Sequence, residues 1–119
     1  MLLCGGIGPL FRYVNGKLEM YQGAASTTLD NATGLIESYK ITQYIACCTL
    51  EITPKTVKND TLLAWGLISP DRKLYITLPT IGGNNIPCVL TTNGELRVYY
   101  PISTALERID YTFMYPSKR

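Results

Sequence analysis

The side chains of this chain that could carry chemistry are nine carboxylates, four cysteines and nine tyrosines, and histidine is absent. Without histidine the commonest general base and the commonest metal ligand are both missing, which excludes the usual serine and cysteine triads. The carboxylates are Glu19, Asp30, Glu37, Glu51, Asp60, Asp71, Glu95, Glu107 and Asp110. A glycosidase needs two of them facing each other across a groove. Glu95 and Asp110 could approach across neighbouring strands; the plainer reading is solvated or salt-bridged surface carboxylates. Asp30-Asn31 and Asn59-Asp60 are too short to be calcium loops. Gly5-Gly6-Ile7-Gly8 lacks the preceding strand and following helix of a phosphate-binding loop. No catalytic residue, no metal site and no cofactor are therefore expected.

The cysteines are Cys4, Cys47, Cys48 and Cys88, with no Cys-x-x-Cys spacing. Cys47 and Cys48 are adjacent and point to opposite faces if they lie on a strand. Four free thiols are expected, mostly buried as small hydrophobes, which favours assembly in a reducing cytoplasm over a disulfide framework.

Tyrosine is in excess, nine against two phenylalanines. It joins apolar area to a polar tip and loses little entropy on contact, so it is common at interfaces and sugar sites. Tyr99, Tyr100 and Tyr115 are the candidate contact residues, together with Asn84 and Asn85 of a Gly/Asn loop. The alternative is that the tyrosines are strand residues whose hydroxyls merely reach the surface.

These residues must be positioned by strands. Asn93-Gly94 is the sharpest turn signal, and a two-residue type I′ turn there needs φ > 0 at both positions. That turn places Thr92 opposite Glu95, Thr91 opposite Leu96, Leu90 opposite Arg97 and Val89 opposite Val98. Val89, Thr91, Leu96, Val98 and Tyr100 then form the core face, and a slip of one residue would reverse the assignment. A second Asn-Gly turn at Asn15-Gly16 pairs Phe11 with Met20, Arg12 with Glu19, Tyr13 with Leu18 and Val14 with Lys17.

Residues 23–34 read as a polar loop. Residues 35–52 read as one long β-rich run, and residues 61–68 as a buried strand with Trp65 as a core anchor. Pro70 marks a type I turn. Residues 73–78 form the next strand, residues 80–87 a second loop, and residues 108–115 a last strand alternating Ile109, Tyr111, Phe113 and Tyr115 with Asp110, Thr112 and Met114.

The count is about eight strands and no helix. That predicts a single-domain, all-β antiparallel sandwich of jelly-roll type, or a barrel, over residues 11–119. Its expected core is Phe11, Leu18, Ile41, Ile45, Leu63, Trp65, Ile76, Val89, Leu96, Val98, Ile109 and Phe113. Residues 1–10, rich in Gly and Pro, read as an extended N-terminal arm.

With 119 residues the chain is sized for one domain, and its apolar content of 46% argues against disorder. Charged residues are only 17%, which suits a subunit covered by neighbours. A net charge of +2, scattered along the chain, gives no basic stripe, so no nucleic-acid partner is expected. No apolar stretch is long enough to span a membrane, and the first residues lack the basic and hydrophobic regions of a signal peptide.

Ile76-Thr77-Leu78-Pro79, Ile86-Pro87, Val89-Leu90, Asn93-Gly94-Glu95-Leu96-Arg97-Val98 and Tyr111-Thr112 follow a pattern of strands and turns. It resembles the C-terminal head domains of bacteriophage receptor-binding and tail-fibre proteins, over roughly the last third of the chain. The resemblance implies a β-sandwich or barrel, trimeric assembly, and in many cases binding of bacterial-envelope saccharides. From it we expect a non-enzymatic virion structural protein of fibre, tail or capsid surface. Such a protein would assemble in the host cytoplasm, as a homotrimer in contact with other virion proteins. The alternative is a head module that binds a host-surface receptor or carbohydrate. In either case Leu2, Leu3, Ile7 and Leu10 of the arm are expected to pack on a neighbour.

Overall fold

The computed structural model describes residues 25–118 and, ahead of them, the backbone of two short strands, β1 (Phe11–Val14) and β2 (Lys17–Met20). The proposed arm, with Leu2, Leu3, Ile7 and Leu10, lies outside the described residues, as does Cys4. β1 and β2 pair antiparallel in the expected register, Phe11 opposite Met20 and Arg12 opposite Glu19.

Eight further strands make the sandwich. They are β3 (Thr28–Leu29), β4 (Ala32–Lys40), β5 (Ile45–Pro54), β6 (Leu62–Trp65), β7 (Leu74–Pro79), β8 (Asn85–Leu90), β9 (Leu96–Val98) and β10 (Ile109–Pro116). One antiparallel sheet has the order β10-β5-β4 and the other β3-β6-β9-β8-β7, and the two do not close into a barrel. No helix occurs among the described residues.

The period-2 alternation of each strand decides which side chains meet between the sheets. From the three-stranded sheet come Ala46, Cys48, Leu50 and Ile52 of β5, with Ile109 and Tyr115 of β10. From the other come Leu63, Leu78, Ile86, Cys88, Leu90, Leu96 and Val98. Fully burying a leucine or isoleucine contributes roughly 1.5–3 kcal/mol, so this one cluster supplies most of the driving force.

A closed circuit of hydrogen bonds ties the sheets together inside that core. The Tyr115 hydroxyl donates to the Ile68 carbonyl at 2.7 Å, and the Ile68 amide donates to Ser38 Oγ at 2.9 Å. Ser38 Oγ and the Tyr115 hydroxyl lie 3.1 Å apart. With the tyrosine proton committed to Ile68, the serine donates across that gap. Each buried polar atom in the ring is thereby satisfied.

The structure corrects several expectations. Residues 35–52 are two strands, because the chain reverses at residues 41–44. Thr42 Oγ1 accepts from the amides of Tyr44 and Ile45, both at 3.2 Å, which closes a tight side-chain turn that a run of β-formers does not announce. Ile45, at the start of β5 on its outer face, is consequently 41% exposed. The region expected to be loop contains β3 and the start of β4. Trp65 is 47% exposed and anchors no core. A register irregularity lies between Leu62 and Ala64 where β6 meets β9. It turns both Leu63 and Ala64 inward and sends Trp65 out.

The Asn93-Gly94 hairpin also differs. The Gly94 amide donates to Thr91 O at 3.0 Å and the Thr91 amide to Glu95 O at 2.9 Å. Gly94 has φ +77 and Asn93 keeps a negative φ. This is a three-residue loop with a glycine bulge instead of a type I′ turn. The register slips by one, with Cys88 opposite Val98, Val89 opposite Arg97 and Leu90 opposite Leu96. Leu96 and Val98 stay on the core face as expected. On β8 the faces are reversed, so Cys88 and Leu90 enter the inter-sheet core, while Val89 lies on the outer face and is still buried, at 8% exposure.

Cys48 and Cys88 are free and buried, as expected. Cys47 is disulfide-bonded, with its partner outside the described residues, so the expectation of four free thiols fails there. The thiol argument for a reducing compartment loses its premise at that residue.

Two outcomes follow. Tyr115→Phe opens the hydrogen-bond ring and leaves buried polar atoms without partners, which should cost about 1–3 kcal/mol in urea unfolding. Burial pushes the thiols of Cys48 and Cys88 up to about 12. A thiol reagent at pH 8 should therefore leave both untouched in the folded protein and modify both in urea. Rapid native-state labelling would contradict the packing described here.

Candidate functional site

Three strands of the five-stranded sheet present one outward residue each in a row. Tyr75 of β7 stands opposite Val89 of β8, and Val89 opposite Arg97 of β9. Their sequence neighbours Leu74, Ile76, Cys88, Leu90, Leu96 and Val98 face the core, so alternation puts the row on the outer face of the sheet, with Tyr75 exposed and Val89 buried at the floor between its neighbours. Beyond β9 the chain adds Tyr99 and Tyr100, and the turn at residues 58–61 closes the far side. Together they line a groove of about 310 Å³.

Tyrosine rings dominate one wall. Tyr75 and Tyr99 have centroids 5.0 Å apart at 57°, and Tyr99 and Tyr100 4.9 Å apart, edge to face. Tyr75 is 60% and Tyr100 67% exposed. Water thus covers a contiguous aromatic surface, which is costly unless something else covers it.

The polar wall is laced to the aromatic one. The Tyr100 amide donates to Asn59 Oδ1 at 3.0 Å, and the Asp60 amide to Val98 O at 2.7 Å. Arg97 Nη1 donates to the Asp60 carbonyl at 3.1 Å and lies 3.6 Å from its carboxylate. Arg97 Nε reaches Glu95 Oε1 at 3.2 Å.

Asp60 (φ +67) and Tyr100 (φ +45) are the only non-glycine residues with positive φ among the described residues, and both line this groove. Left-handed backbone costs an L-residue about 1–2 kcal/mol, and such strain concentrates at functional sites.

Of the residues singled out from sequence, the structure brings Tyr99 and Tyr100 together and leaves the others elsewhere. Tyr115 belongs to the other sheet, is buried, and spends its hydroxyl on Ser38 and Ile68. Of these three candidate tyrosines only Tyr99 and Tyr100 share the groove. Asn84 and Asn85 sit past the far end of β7, whose Tyr75-to-Pro79 span is about 13 Å at the usual rise per residue. Asn85 is exposed and pairs with Pro79 at the base of the hairpin.

Sequence reading missed Tyr75, Arg97, Asn59, Asp60 and Lys73. The signal for Tyr75 was the β7–β8 pairing across residues 80–84, which places it opposite Val89. That signal is readable only once Val89 is known to face outward.

The carboxylates are engaged elsewhere. Glu95 and Asp110 do not face each other, since they belong to different sheets. Asp110 lies opposite Glu51, and Arg108 bridges both, at 2.8 Å to Asp110 and 3.8 Å to Glu51. Among the described residues no cluster of three or more acidic or cysteine side chains could hold a metal ion.

Asn84 has a defined role in the β7–β8 loop. Its Nδ2 donates to Glu107 Oε1 at 2.7 Å, and Thr80 Oγ1 donates to the same oxygen at 2.6 Å. These two bonds hold the Glu107 carboxyl below the ordinary value of 4.5. A depressed carboxylate adds stability that is present above its unfolded-state pKa and is lost as pH falls through the folded one. The wild type should therefore lose urea stability on going from pH 6 to pH 3. Glu107→Gln should lose measurably less over that interval, and an identical loss in both proteins would exclude the latch.

No protein-family model, no curated protein and no solved structure matches this chain, so its function is read from the groove itself.

Proposed function

We propose that this chain is a non-enzymatic binding module whose tyrosine groove takes a saccharide on the outer face of its five-stranded sheet. One observation carries the reading. Three touching, solvent-exposed tyrosines, the last of them (Tyr100) on strained backbone, stand beside a wall of amide, carboxylate and guanidinium groups. A pyranose ring offers an apolar C–H face for an aromatic ring and an edge of hydroxyls for polar side chains. Tyrosine serves both needs, and the hydrogen bonds between residues 59–60 and 97–100 set the geometry before any ligand arrives.

Of the two roles expected from the sequence, the groove favours the receptor- or carbohydrate-binding module over the purely structural virion component. The resemblance of the turns to tail-fibre heads gives the module a setting, a trimeric virion protein presented to a host surface. The Cys47 disulfide suits a protein displayed outside a reducing compartment.

A glycan array probed with the full chain tests the proposal. Tyr75→Ala, Tyr99→Ala and Tyr100→Ala should each keep the β-type circular dichroism of the wild type. Each should also lower affinity for a bound glycan by roughly 10-fold or more, since a ring contact is worth about 0.5–1.5 kcal/mol beyond its buried area. Binding that survives all three substitutions would move the site elsewhere, and no binding to any glycan would sink the reading. Sedimentation of the full chain as a monomer at high concentration would count against the trimer.

A further inference from the structure

We infer that the saccharide taken by this groove is acidic, with a carboxylate paired to Lys73; this inference rests on the proposed saccharide reading. Lys73 lines the groove and immediately precedes β7, two residues before Tyr75 on the same outward side of the chain. It makes no ion pair or hydrogen bond among the described residues.

The other cation of the groove is differently placed. Arg97 is held by Glu95 through Nε and by Asp60 through Nη1, and its side chain is only 27% exposed. Its charge is matched by two carboxylates, so it is left to offer its remaining N–H groups to hydroxyls. Asp60 is likewise committed, its carboxylate 3.6 Å from Arg97 and its carbonyl accepting from the same guanidinium. Lys73 is therefore the charge without a counter-ion at the edge of an aromatic wall.

A neutral sugar stacked on Tyr75 leaves that ammonium as it was. A uronic or sialic acid ring in the same position brings a carboxylate to the edge of the ring, within the sweep of the four-carbon lysine stem. The ring face is then read by tyrosine and the acid by lysine. An exposed pair of this kind is screened by salt, so it discriminates between sugars by a modest factor and adds attraction at long range.

The test uses the full chain on an array carrying neutral oligosaccharides beside uronate- and sialate-bearing counterparts of similar size, for example lactose beside 3′-sialyllactose. Calorimetry would follow on the best neutral and best acidic glycans at 20 mM and 500 mM NaCl. Wild type should prefer acidic glycans by about 2- to 5-fold at low salt and lose most of that preference at high salt. Lys73→Gln should remove the preference, lowering acidic-glycan affinity more than neutral-glycan affinity; with no partner to lose, it should fold as the wild type does. Equal affinity for acidic and neutral glycans, or an equal effect of Lys73→Gln on both, would overturn the acidic ligand while leaving the groove reading intact. No binding to any glycan, or binding indifferent to Tyr100→Ala, would overturn the groove reading and this inference with it.

Discussion

The backbone of Gly94 governs more of this molecule than any side chain. Its left-handed φ lets the loop after β8 close in three residues. Its carbonyl also accepts the Leu67 amide at 3.0 Å, which pins the hairpin tip to the chain leaving β6. A Cβ at this position would collide with the Leu67 carbonyl, so no other residue fits both the conformation and the contact. The loop length then sets the register of β8 against β9, and the register sets the faces. Cys88 and Leu90 go in, while Val89 and Arg97 go out. The core and the groove are thus two consequences of one turn.

The sheets are joined by two kinds of interaction with different tolerances. The apolar cluster is non-directional, and volume-conserving changes within it are tolerated best. The ring through Ser38, Ile68 and Tyr115 is directional, and each member depends on the other two. It specifies how the three-stranded sheet sits over the segment that follows β6, which burial alone does not. Gly34 adds a second geometric demand on β4. With φ +125 it lies where a Cβ would run into the Glu51 carbonyl of β5.

The fold class was legible because it rests on period-2 patterns, and these survive most local errors. The last strand shows this, since Ile109 and Tyr115 are buried, Phe113 is half-buried, and Asp110 and Met114 are exposed; Tyr111, on the same face as Ile109, departs from the pattern and is exposed. What misled was the reading of turns and bulges. Asn-Gly is compatible with both a two-residue and a three-residue loop, and the choice depends on Leu67, distant in sequence, accepting the glycine as a neighbour. The reversal at residues 41–44 uses Thr42, a strong β-former, as a turn-closing side chain. Trp65 was placed by composition, whereas the irregularity in β6 decided its side. At the site, Tyr99 and Tyr100 were visible as an unusual pair. Tyr75 was hidden behind the register error, and Asn59, Asp60 and Lys73 reach the groove only through tertiary contacts.

The separation of core from groove has a consequence for how this surface can change. Each groove residue on a strand is flanked by two that face the core. Tyr75 lies between Leu74 and Ile76, Val89 between Cys88 and Leu90, and Arg97 between Leu96 and Val98. Tyr75, which is exposed, can therefore be exchanged with little effect on packing, whereas Val89 is buried and Arg97 is tied to Glu95 and Asp60. Asp60 and Tyr100 are constrained as well, since their strained backbone is held by hydrogen bonds to Val98, Arg97 and Asn59. The adaptable part of the site is its chemistry, and the constrained part is the backbone that holds Tyr100 against Tyr99. For the binding module proposed above, such a sheet would keep its shape while its exposed outward residues vary with the ligand.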